Sequence, residues 1–95
     1  MPKFLVEVTH DAEQIACARV VKIFLASGSH YLSQAEWGCM DGEHRSWMIV
    51  DVEDKREALA IVPPLLRPAT RVIGLNRFSL DQVDAILSKH PTSTS

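Results

Sequence analysis

The dipeptide Asp41-Gly42 constrains this chain more than any other feature. It is a strong hairpin turn, and it lies between two segments, His30–Trp37 and Arg45–Val52, that read as strands. Taken as a two-residue turn, it sets Met40 against Glu43, Cys39 against His44, Trp37 against Ser46 and His30 against Glu53. Side chains alternate between the two faces of a sheet, so this register sorts the hairpin into two sets. Trp37, Cys39, His44, Ser46, Met48, Val50 and Val52 share one face, and the apolar run near its end marks it as the helix-covered one. His30, Leu32, Gln34, Glu36, Arg45, Trp47, Ile49, Asp51 and Glu53 share the other.

The flanking segments complete a topology. Lys3 to Thr9 alternates Phe4, Val6 and Val8 with polar residues, a period-2 strand. Asp11 with Gln14 forms a capping-box pattern opening a helix, whose apolar face holds Ala16, Cys17, Val20, Val21, Ile23 and Phe24. Gly28 suits the position that ends it. Asp54 and Glu57 open a second helix, stopped by Pro63-Pro64. Arg71 to Arg77 reads as a fourth strand, and Ser79 with Gln82 caps a short last helix. The predicted fold class is α+β: a ferredoxin-like βαββαβ domain with an antiparallel sheet in the order 4-1-3-2, two helices on one face, and a short C-terminal helix. One domain spans 1–89, and 90–95, polar and without apolar anchors, reads as a disordered tail.

Composition narrows the functional classes. A chain of 95 residues buries roughly 60–70% of its unfolded surface, which gives a thin core. A net charge of −2 lacks the basic surplus of a nucleic-acid binder. No apolar run approaches the ~20 residues of a membrane span. Two cysteines make no disulfide framework, and with no signal-peptide pattern the expected compartment is the cytoplasm.

The second face of the hairpin is mixed. Leu5, Leu32, Trp47 and Ile49 are too apolar for a free surface, while Glu7, Gln34, Glu36 and Asp51 interrupt them. Two copies packing these helix-free faces together would enclose a polar-lined cavity, so a homodimer is expected. The candidate ligand-binding residues are Glu7, Gln34, Glu36, Arg45 and Trp47. Carboxylates on a half-buried apolar face suit acid–base work, Trp47 would wall a small organic ligand, and Arg45 would pair with Glu36 or a ligand carboxylate.

The layout from Lys3 to Phe78, especially GSHYLSQAEWGCMDGEHRSWMIVDVED from Gly28 followed by a helix and a last strand, resembles the dimeric α/β-barrel superfamily. That group includes muconolactone isomerase, small heme-degrading and antibiotic-biosynthesis monooxygenases, and many bacterial proteins of unknown function. The resemblance implies a dimer that binds a small molecule, with isomerase-like or cofactor-free oxygenase-like chemistry. It supplies no catalytic residue, because no family motif matches a position here, and it leaves open whether the chain is an enzyme at all. The alternative is a non-catalytic metal-binding or assembly module.

For metals, the sequence offers fragments. His10, His30 and Glu53 are expected along one edge of the sheet, with the two histidine backbones about 9–10 Å apart by strand spacing. Cys39 and His44 are expected on the opposite edge, a two-ligand fragment where a structural zinc needs four. Cys17 reads as an inert buried thiol on a helix face. On this reading no metal and no cofactor is assigned.

Overall fold

The structure, a computed structural model, describes residues 1–89; the tail expected at 90–95 lies outside them. The chain forms β1 (Lys3–Thr9), α1 (Gln14–Ala26), α2 (His30–Ser33), β2 (Glu36–Trp37), β3 (Arg45–Asp51), α3 (Lys55–Ile61), β4 (Thr70–Leu75) and α4 (Leu80–Ser88), with 3₁₀ turns at Cys39–Asp41 and Pro64–Ala69. It is an α+β protein whose four strands form one antiparallel sheet in the order β2-β3-β1-β4. Among the described residues no helix is long and apolar enough to cross a membrane.

Period-2 alternation places the core. Phe4, Val6 and Val8 of β1 lie opposite Val50, Met48 and Ser46 of β3, and all six are buried. Phe24 of α1, Leu32 of α2, Ala58 of α3 and Val62 beyond it cover that face. On the other face Ile73, Leu5 and Ile49 form one row across β4, β1 and β3, while Arg71, Glu7, Trp47 and Glu36 form the next across all four strands. Among the described residues, the core helices cover the first face, and Ile49 on the second stays exposed.

The expected second strand is the main correction. Only Glu36 and Trp37 pair with β3, opposite Trp47 and Ser46, so the register set by the turn is right while the strand is far shorter. His30 to Ser33 coil instead into α2, capped by the Ser29 hydroxyl, which accepts from Leu32 N–H at 3.2 Å. Leu32 thereby leaves the open face and enters the core. The Tyr31 hydroxyl takes the place of the missing pairing, donating to Asp51 O and accepting from Asp51 N, both at 3.3 Å.

The turn also differs. Cys39–Asp41 makes a 3₁₀ turn closed by Gly42 at φ +82°, a left-handed conformation that favours glycine, rather than a two-residue reversal. Gly38 is required for a different reason: a Cβ there would sit 2.8 Å from Glu43 O and 2.9 Å from Trp47. Two capping expectations move slightly. Glu13, not Asp11, caps α1, accepting from Ala16 N–H at 2.9 Å, and Asp11 accepts from Glu13 N–H. The capping box of Ser79 and Gln82 and the Asp54 cap form as the sequence indicates.

Candidate metal centre

Strand direction decides which residues meet. Because β1 runs antiparallel to β3, its last residues lie beside the first residues of β3, and Thr9 pairs with Arg45. His10 N–H donates to His44 O at 3.0 Å, one step beyond that register. The expected partition, His10 with His30 and Glu53 on one edge and Cys39 with His44 on the other, is therefore wrong for His10. His30 and Glu53 are exposed at the opposite end of β3, while His10 joins Cys39 and His44.

Four side chains from separate parts of the chain converge at this end. One potential ligand atom from each of His10, Cys17, Cys39 and His44 lies within 4.8 Å of all the others. His10 follows β1, Cys17 lies on the first turn of α1, Cys39 opens the 3₁₀ turn, and His44 precedes β3. His10 Nε2 and Cys39 Sγ are hydrogen-bonded at 3.0 Å, in a direction set by the imidazole tautomer. The Cys17 thiol donates to Cys39 Sγ at 3.2 Å, so Cys39 is the hub of the group. Cys17 is thus no isolated hydrophobe, and both cysteines are free thiols.

Aromatic walls hold the group in place. The Trp37 ring centroid is 5.6 Å from that of His10 and 4.8 Å from that of Phe24, which places Trp37 beneath α1. The His10 and His44 rings meet edge to face at 5.8 Å. Burial, with His44 alongside, holds His10 below its ordinary pKa against the opposing pull of Asp11, and so favours the neutral imidazole. Burial and the Cys17 hydrogen bond push the Cys39 thiol up, which favours its protonated form. Among the described residues, Nδ1 of both histidines is buried without a hydrogen-bond partner. A buried polar atom left unmet marks a place where a partner belongs.

The five residues expected to bind a ligand lie elsewhere. Glu7 accepts from Trp47 Nε1 at 3.1 Å through one oxygen and from Arg71 at 3.4 Å through the other. Glu36 neighbours Trp47 across the sheet, completing a row with Glu7. Gln34 is the exposed C-cap of α2, and Arg45 lies near Glu43, at 3.8 Å, rather than pairing with Glu36. The structure brings Glu7, Trp47 and Glu36 into one row and leaves Gln34 and Arg45 outside it.

Cys17 is the member of the cluster that sequence reasoning missed entirely, and His10 the one it misplaced. The signal for His10 was present: in an antiparallel pair the end of one strand meets the start of its neighbour. For Cys17 the only signal was its place one helical turn into α1. Compared with known proteins, the chain matches no family model, no curated protein and no solved structure.

Proposed function

We propose that this chain is a metal-binding α+β domain whose ion is held by His10, Cys17, Cys39 and His44. The observation that carries the reading is the convergence of four donor atoms within 4.8 Å from four separate places in the chain. Two thiolates and two imidazoles are the ligand set of a closed tetrahedral zinc site, with Zn–S near 2.3 Å and Zn–N about 2.0–2.1 Å. Those lengths require donors roughly 3.3–3.8 Å apart, so movements of about an ångström would complete the shell. All four corners come from protein, which favours a structural ion over a catalytic one with an open position. Such an ion ties α1 and the Cys39 turn to the end of the sheet.

The ferredoxin-like βαββαβ layout fits within this reading, with α2 as an added turn before a shortened second strand. The small-molecule reading of the open face has less to draw on, because both Glu7 oxygens are already engaged. Zinc titration of the reduced, chelator-treated chain, followed by elemental analysis after gel filtration, tests the proposal. One zinc per chain and a rise in melting temperature are expected. Failure to retain any divalent metal, with no thermal shift, would overturn it.

A further inference from the structure

Among the described residues, two apolar surfaces have no cover. One is the open sheet face, where Ile49 is 54% exposed and Leu75, near the end of β4, is 38% exposed. The other is α4. Leu80, Val83, Ile86 and Leu87 fall within a 120° arc at about 100° per residue, a stripe suited to lying on a flat surface. Yet Leu80 is 74% exposed, Ile86 51%, and among the described residues α4 makes no extended contact with any other element. The helix is well capped, with Ser79 and Gln82 bonding reciprocally, so it is a formed element without a seat.

We propose that α4 of one copy lies across the open sheet face of a second copy, whose α4 returns the contact. Three observations select this occupant. Both surfaces belong to the same chain, and an exchange satisfies both at once, as closed two-fold assemblies do. Their charges are complementary. The face bears a shallow depression of about 620 Å³ whose lining includes Lys3, Ile49, Leu75 and Arg77. Lys3 already pairs with Asp51, but Arg77 is in no ion pair among the described residues, and α4 carries exposed Asp84 beside its stripe. The area also suffices: at these exposures the stripe, Phe78 and the face would together hide on the order of 700 Å² per protomer, near the ~800 Å² a side of a standard interface. This inference is independent of the metal centre, which lies at the far end of β1 from Lys3.

Sedimentation equilibrium of the full chain, with two charge-introducing variants, tests it. The wild type is expected to be a dimer at micromolar concentration. Ile86→Glu on the helix and Ile49→Glu on the face should each weaken self-association by more than ~10-fold. Both sites are exposed, so far-UV circular dichroism should stay unchanged in either variant. The decisive sample is an equimolar mixture of the two. Only helix-on-face exchange leaves the mixed pair one intact contact, so the mixture should recover dimer that neither variant forms alone. A monomeric wild type, a variant that dimerises normally, or a mixture that stays monomeric would each overturn the proposal.

Discussion

The two ends of the sheet pose opposite problems. At the end where β1 meets the start of β3, polar donors are drawn out of water and two imidazole nitrogens lack partners. On the open face and along α4, apolar side chains remain in water. The proposed remedy for the first is small and charged, and for the second broad and apolar. A chain this short encloses a smaller share of its surface than a larger domain does, and here the shortfall takes both forms in separate places.

That separation can be broken in order of expected effect. Cys39 touches both His10 and Cys17, so Cys39→Ser should remove stoichiometric zinc. With free zinc at about 1,000 times the wild-type Kd, the variant forgoes ~4 kcal/mol of zinc-linked stabilisation, seen as an absent thermal shift. Its dimerisation should be unchanged, and a loss there would merge the two regions into one. Next comes Trp47→Phe, which deletes the donor to a mostly buried carboxylate. Urea unfolding should show a loss of about 1.5–3 kcal/mol, with zinc binding intact. Ser79→Ala removes the α4 cap and should cost about 1 kcal/mol of helix stability, visible as reduced helicity and weaker association. Smallest is Ile49→Ala: in dilute, monomeric protein its exposed side chain should alter folding stability by less than ~0.5 kcal/mol. A large change there would mean that the face is already covered within one chain.

Much of the sheet was legible from its residues. The alternation of Phe4, Val6 and Val8 marks β1, and Asp41-Gly42 carries enough information to place Trp37 against Ser46. The antiparallel order follows from chain connectivity. What the residues concealed was a competition in His30–Ser33. Alternation there resembles a strand, but Ser29 offers a local cap and Leu32 finds a buried seat from a helical turn. Tertiary packing decided between two locally acceptable conformations. The histidine–cysteine cluster was half legible. Cys39 and His44 emerge from the turn, whereas the arrival of Cys17 depends on how α1 lies over the sheet, which no spacing in the sequence encodes.

The Tyr31 phenol carries a consequence beyond the fold. Since β2 pairs with only Trp47 and Ser46, the rest of the outer margin of β3 is, among the described residues, a strand edge without a partner strand. Such edges recruit strands from other molecules and seed aggregation. One hydroxyl occupies both peptide groups of Asp51, and α2 lies against β3, so a single side chain does the blocking that a longer β2 would have done. Tyr31→Phe would barely change the monomer, yet it would leave that edge open to a neighbour, and the cost would appear as lost solubility on concentration.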